Sequence, residues 1–308
     1  MDRIEGLKTK RIAVIMGGVS AERDVSLRTG AAVLAALLER GYSAIGIDSA
    51  TKLPEQLSDY AAEVAFIAVH GRHGEDGTLQ GLLEMMQIPY TGSGVLASAL
   101  AIDKAITKRM VSAAVSTPSS FLVDEKSDVA ALCAVCDHYP QVVKPVREGS
   151  TLGISIAANA AELAQAIAKA RTFDRRVLVE TYIKGREVTV AVLQGAALPV
   201  IEVVPADGFY DYAAKYSSGT TEYLVPAPLP EAQYAALQEA AVTCCSILGC
   251  RGAARVDFMV GDDQFYFLEV NTIPGMTETS LLPKAAACGG IDFASLVERI
   301  VEDATLDR

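Results

Sequence analysis

Phe265-Tyr-Phe-Leu-Glu-Val-Asn271, preceded by Arg255-Val-Asp257, is the stretch on which the fold turns. Residues 265–270 are bulky and aromatic-rich, the composition of a β-strand. Side chains two residues apart on a strand point to the same face. Glu269 and Asn271 therefore point together, and Arg255 and Asp257 do the same on a preceding strand, 252–260. Gly261-Asp-Asp263 between the two suits a hairpin turn. A register that sets the two pairs side by side would gather three oxygen ligands and one guanidinium on one surface. Hard oxygen donors suit Mg²⁺, which takes one or two carboxylates together with substrate phosphates. Alternating charge is also ordinary on a solvated strand face, so the pairing decides between the two readings.

Working outward, residues 11–16 form a short apolar run closed by Gly17-Gly18, a buried strand ending in a tight turn. Helical spacing covers 25–40 and stops at Gly41; 43–47 and 64–69 read as further strands. Strands alternating with helices predict a parallel sheet covered on its faces, with ligands beyond the carboxyl ends of the strands. The first domain is expected at 1–95. A long helix is expected over 96–114, carrying Asp103, Lys104 and Lys108. A smaller α+β unit follows, with strands at 119–123, 141–144 and 177–180 and helices at 129–138 and 159–171. From 187 onward strands dominate: a hairpin at 187–193 and 198–204, then a polar stretch, 205–225, without periodicity. A structureless run of that length inside a domain is usually a lid or disordered. Helices at 231–248 and 293–303 complete the expectation. The fold class is thus α/β, α+β overall, with an N-terminal parallel sheet.

The 308 residues suffice for two or three cored domains, and 51% hydrophobic with 21% charged residues fits a soluble globular chain. A net charge of −11 without any dense Lys/Arg cluster argues against nucleic acid as a partner. An anionic substrate would need its own local cations. No apolar run reaches the length of a membrane span, and the polar start, Met1-Asp-Arg-Ile-Glu-Gly6, lacks a signal-peptide core, so the expected location is cytoplasmic. The cysteines at 133, 136, 244, 245, 250 and 288 scatter through apolar helical context, as reduced thiols do. Cys133-x-x-Cys136-x-His138 lacks the second pair that structural zinc needs.

Four further motifs carry chemistry. Small residues at Gly149, Ser150, Thr151 and Gly153, after Lys144 at a strand end, let backbone N–H groups approach a phosphate; a plain hairpin turn would read the same. Glu180 and Glu187 flank a strand passing between domains, where a base and ribose could lie near the backbone of Ile183. His70-Gly-Arg-His-Gly-Glu-Asp-Gly77 and Gly17-Gly-Val-Ser-Ala-Glu22 both fall at the ligand edge of the first sheet. Glu22 there could complement a helix dipole or take a substrate ammonium.

These pieces, in this order, resemble the D-alanine–D-alanine ligases of the ATP-grasp superfamily. The likeness is carried by 17–26, 70–81, Tyr90-Thr-Gly-Ser-Gly94, Asp103-Lys104, 144–153, Phe209-Tyr-Asp-Tyr-Ala-Ala-Lys-Tyr216 and Leu268-Glu-Val-Asn-Thr-Ile-Pro-Gly-Met-Thr277, spanning nearly the whole chain. The resemblance implies a three-domain ATP-grasp architecture: a Rossmann-like substrate-binding domain (1–95), a central small subdomain (96–184), and a C-terminal subdomain (185–308) with the metal site and an ω-loop at about 205–225. It implies condensation of two D-alanines with ATP through a D-alanyl phosphate, for peptidoglycan synthesis, by a homodimer. Lys104 and Lys144 would hold phosphates; Glu180, Ile183 and Glu187 adenosine; Asp257, Glu269 and Asn271 two Mg²⁺ or Mn²⁺ ions. Arg255 would stabilise the transferring phosphoryl group and Gly275 the oxyanion. Glu22 would take the first substrate's ammonium, with His70 near its carboxylate. Ser150 and Tyr216 would bond to Glu22. Lys215, Ser280 and Leu281 would receive the second carboxylate.

Two departures stand out. Thr181 stands where many relatives carry Lys or Glu, so an adenine-site contact at 181 is expected from the backbone and not from that side chain, and the loop reads Ser217-Ser-Gly-Thr-Thr221, uncharged. The alternatives are a D-alanine–D-lactate ligase, which Tyr216 argues against, and a non-catalytic nucleotide-binding module, which would have lost a metal ligand or Arg255. A third is a carboxylate–amine ligase for another substrate, against which Glu22, His70 and Tyr216 together weigh.

Overall fold

The computed structural model describes residues 3–205 and 221–307. After helix α1 (Arg3–Lys8), strands β1 (Arg11–Met16), β2 (Ser43–Asp48) and β3 (Val64–Ile67) form a parallel sheet in the order β2-β1-β3. Ile12, Ala13, Val14 and Ile15 are fully buried, because helices cover both faces of a parallel sheet. Between the strands run α2 (Arg23–Glu39) and α3 (Leu53–Tyr60), then α4 (Thr78–Met85) follows β3.

The single helix expected over 96–114 is instead two, α5 (Val95–Ile102) and α6 (Lys104–Val111). Asp103 breaks it. Its backbone is extended, with φ −88° and ψ 92°, and its Oδ1 accepts from the Ile106 N–H at 3.0 Å, the geometry of an N-cap. Its other oxygen takes the Arg176 guanidinium.

The second sheet is antiparallel, ordered β4-β7-β5-β6: β4 (Ser120–Val123), β5 (Gln141–Pro145), β6 (Ser155–Ala157) and β7 (Val177–Thr181). Helices α7 (Val129–Val135) and α8 (Ala160–Ala170) cover it over a core of Val143, Leu163, Ile167 and Val179. α7 stops three residues short of the expected 138, since Cys136 is already extended ahead of Tyr139-Pro140.

The third sheet is the largest. Its path β11-β10-β8-β12-β13 joins β8 (Arg186–Leu193), β10 (Ile201–Pro205), β11 (Thr221–Leu224), β12 (Ala253–Val260) and β13 (Phe265–Asn271), with β9 (Ala196–Ala197) beside β8. Helix α9 (Glu231–Leu248) buries Leu237 and Cys244 against Val190, Phe258 and Phe267. Phe258 meets Phe265 and Phe267 edge-on, with centroids 5.7 and 6.2 Å apart, contacts worth about 0.5–1.5 kcal/mol each beyond their area. Helices α10 (Leu281–Cys288) and α11 (Phe293–Glu302) return the chain to α2, and Thr305 bridges to Tyr90 beside β3. One hydrophobic cluster, including Val14, Leu37, Ile201 and Val297, therefore runs from the first sheet into the third.

Candidate active site

The register of the last hairpin decides the first question. Arg255 pairs with Asn271 and Asp257 with Glu269, so the two same-face pairs lie side by side. The ladder then slips: Phe258 pairs with Phe267, leaving Leu268 as an extra residue on β13. Such a bulge lets consecutive side chains, Leu268 and Glu269, line one cleft with Asp257 and Met259. This is no solvated strand face, since Asp257 is 6% exposed.

The surrounding bonds fix these groups. Arg255 donates from Nε and Nη2 to the two oxygens of Asp257 at 2.9 and 2.8 Å. Thr189, opposite on β8, donates to Asp257 Oδ1 at 2.6 Å. Lys104 lies 3.1 Å from Glu269. Asn271 Oδ1 accepts from the Ile273 N–H at 2.8 Å. A carboxylate offers about four acceptor sites, so Asp257 retains room for a metal bond after these three donors. Among the described residues no three His, Cys, Asp or Glu side chains form a complete cage. Two carboxylates and an amide are instead a partial, all-oxygen set, which fits Mg²⁺ or Mn²⁺ completed by phosphate and water.

A cleft of about 360 Å³ opens between the second and third sheets. Val142, Ile154, Ile183, Met259 and Leu268 give it apolar walls, and Lys144, Glu180 and Glu187 are among its charged groups, with the candidate metal ligands Asp257 and Glu269 and the Arg186–Glu202 pair. Thr181 lines it too. Glu180 is buried and held by Lys144 on Oε1, while Lys108 stands 2.9 Å from Oε2. Oε2 is itself buried, and the Lys108 ammonium is the cation facing it. Burial works to raise the Glu180 carboxyl, but attraction by Lys144 and Lys108 outweighs it and holds the group below the usual range.

A second cleft, about 100 Å³, adjoins the first and shares Glu269 with it. It gathers Glu22, His70, Ser150, Arg255, Gly275 and Ser280 from all three sheets' connections. Ser150 donates to Glu22 Oε1. The loop carrying it puts Ser150 and Thr151 at φ +51° and +62°, strained for non-glycine residues and common where backbone shapes a site. Gly71 is required, because a Cβ there would come 2.6 Å from Glu22 Oε2. His70 is fixed by Thr29 Oγ1, 3.0 Å from its Nε2, with Glu75 at 3.6 Å from Nδ1. Lys104 donates to Glu148 O at 2.6 Å, tying the 148–153 loop to Glu269. Burial, then the neighbouring Glu22, raises the Glu148 carboxyl. Ser280 Oγ accepts from the Thr277 N–H at 3.0 Å, and Leu281 opens α10 at the cleft wall. Lys215 and Tyr216 lie outside the described residues, as does most of 205–225.

Two family models match the sequence: D-ala D-ala ligase N-terminus over residues 47–93 and D-ala D-ala ligase C-terminus over 115–302. The chain belongs to the D-alanine–D-alanine ligase family. A D-alanine–D-alanine ligase of Syntrophotalea carbinolica is 58% identical over 301 residues, covering 97% of this chain and 98% of the relative. Among solved structures, the D-alanine–D-alanine ligase of Bacillus anthracis complexed with ATP superposes with TM-score 0.82 at 37% identity, covering 96% of each chain. The VanG D-Ala:D-Ser ligase of Enterococcus faecalis gives TM-score 0.82 at 32% identity, covering 95% of this chain and 98% of that one. The ATP-grasp architecture expected from the motifs is thus the fold of this D-alanine–D-alanine ligase family member.

Of the ligase residues named from sequence, the described ones line these two clefts. Sequence places Lys108 on the helix with Lys104 but gives it no role, and gives none to Thr189 or Glu148. Lys104-x-x-x-Lys108 spacing puts both lysines on one helix face, a signal that was available for Lys108. Thr189 gives no such signal, because its bond to Asp257 depends on strand register.

Proposed function

We propose that this chain joins two D-alanines into D-alanyl-D-alanine at the expense of ATP, releasing ADP and phosphate, as a step in peptidoglycan precursor synthesis. The first D-alanine's carboxylate oxygen attacks the γ-phosphorus and ADP leaves, giving D-alanyl phosphate. The second D-alanine's amine attacks the acyl carbon, and the tetrahedral intermediate expels phosphate. Catalysis of this kind rests on positioning and charge neutralisation.

The nucleotide's base lies between the apolar walls of the larger cleft, with Glu180, the Ile183 backbone and Glu187 taking its polar edge and ribose, and Lys144 and Lys104 its phosphates. Asp257, Glu269 and Asn271 would hold two Mg²⁺ or Mn²⁺ ions, which would supply neutralisation of phosphate charge. Arg255, fixed by Asp257, aims at the transferring phosphoryl group. In the smaller cleft Glu22, with Ser150, holds the first ammonium and His70 stands by its carboxylate. Ser280, Leu281 and the first turn of α10 suit the second carboxylate, with Lys215, since helix N-termini favour anions. Gly275 presents its backbone to the oxyanion; by family resemblance Tyr216 would bond to Glu22 beside Ser150 and favour amide over ester formation. Closure of the 205–225 stretch would keep water from the acyl phosphate. The setting is read as cytoplasm; no helix among the described residues is long and apolar enough to cross a membrane. A homodimer is supported by family resemblance, and sedimentation as a monomer would remove it.

Glu269 carries the reading, because it lies where the nucleotide and amino-acid clefts meet. Glu269→Gln should lower turnover by about 100-fold or more while leaving the fold intact. Parent-like turnover in that variant, assayed with D-alanine, D-serine and D-lactate as acceptors, would withdraw it.

A further inference from the structure

Lys108 has no part in the steps above, yet it is among the most enclosed cations of the described residues, its side chain 4% exposed. It lies one turn along α6 from Lys104. Its Nζ stands 2.9 Å from Glu180 Oε2 and donates to Phe267 O at 3.3 Å, with the Phe267 ring centroid 5.9 Å away. Glu180 gives its other oxygen to Lys144. Lys144 and Glu180 line the nucleotide cleft; Lys108 stands behind them and does not.

Two ammonium groups thus share one carboxylate in a buried place. The set carries a net positive charge, and only Lys144 can present that charge to the cleft. Without Lys108, Glu180 and Lys144 would close into a neutral pair, each charge spent on the other. A buried ammonium left without an anion is costly, so the surplus favours a phosphate at Lys144.

We propose that Lys108 is a positioning residue for ATP: by balancing Glu180 from behind, it leaves the Lys144 ammonium free to bind phosphate. This rests on reading the larger cleft as the ATP site. It also explains how a carboxylate as buried as Glu180 stays ionised, since both lysines hold it below the usual range.

The test is steady-state kinetics and Mg-ATP binding on the full chain, comparing the parent with Lys108→Met, Lys108→Arg, Glu180→Gln and the Lys108→Met/Glu180→Gln double variant. Lys108→Met should raise the KM for ATP roughly tenfold or more, with kcat and the KM for D-alanine changed by less than about threefold. Lys108→Arg should recover most of the loss. In the double variant no carboxylate competes for Lys144, so its loss should be smaller than the product of the two single losses. A Lys108→Met KM for ATP within about twofold of the parent would overturn the proposal, as would strictly multiplicative losses in the double variant or kcat falling with KM unchanged. Should Lys108→Met fail to fold, Lys108→Gln, which also removes the charge, takes its place in the single and double variants under the same criteria. A parent that binds no Mg-ATP would remove the ATP reading and this proposal together; a parent that binds it while the variants match it removes only the role of Lys108.

Discussion

Asp257 holds three donors at once, two from Arg255 and one from Thr189. Each bond orients the carboxylate, and Thr189 does so from β8, a strand that supplies no other group to it. Hydrogen bonds to charged groups contribute about 1.5–3 kcal/mol, more than most surface contacts. Thr189→Val keeps the shape and removes the donor. Partners of metal ligands typically matter by about 10–100-fold in metal affinity, so the Mg²⁺ concentration for half-maximal activity should rise by about tenfold at saturating ATP. An unchanged Mg²⁺ requirement would show that Arg255 alone orients Asp257. The two-residue repeat of a strand is written in the order of side chains, so the sequence already sets Arg255 beside Asp257 and Glu269 beside Asn271 as candidates. Thr189 carries no such mark, because its bond to Asp257 comes from the neighbouring strand's register.

Helix α6 shows what a single residue does to an element. The segment 96–114 reads as one helix through Asp103; the residue instead caps a new helix and redirects it. That turn sends Lys104 toward Glu269 and Lys108 toward Glu180. Asp103→Ala removes the cap on Ile106 and the anion facing Arg176. A lost cap costs about 1–2 kcal/mol, so the urea midpoint should fall, and the KM for ATP should rise as the two lysines loosen. An unaltered midpoint would mean that packing alone sets the break. The longer strands were legible because runs such as 11–16 and 265–270 are apolar or aromatic, the first closed by Gly17-Gly18 and the second opened by the turn at Gly261; β6, β9 and β11, of two to four residues, were not, and β11 falls within the stretch 205–225 read as having no periodicity. The short helices α3 and α10, eight residues each, were not: their signals are a first-turn proline at Pro54 and Ser280 ahead of the first turn, both weak without the packing. Nor was the bulge at Leu268, which follows from pairing and not from composition.

At the scale of the whole molecule, the site belongs to no one sheet. Glu22 and His70 come from the edge of the first, Lys144, Ser150 and Glu180 from the second, and Asp257 and Glu269 from the third. The cluster joining Val14 to Val297 locks the first sheet to the third, which fixes the smaller cleft, while the larger one opens between the second and third. Local patterns could name the ligands, but only the packing of three sheets shows that Glu269 lies where both clefts meet. The account stands on that meeting: a carboxylate held in the smaller cleft is phosphorylated by a nucleotide in the larger. Turnover of D-alanine labelled with ¹⁸O in its carboxylate, followed by mass spectrometry of the released phosphate, measures this transfer itself. The account predicts a single ¹⁸O in each phosphate, carried over from the acyl phosphate; phosphate free of label, or label appearing in AMP, would contradict it.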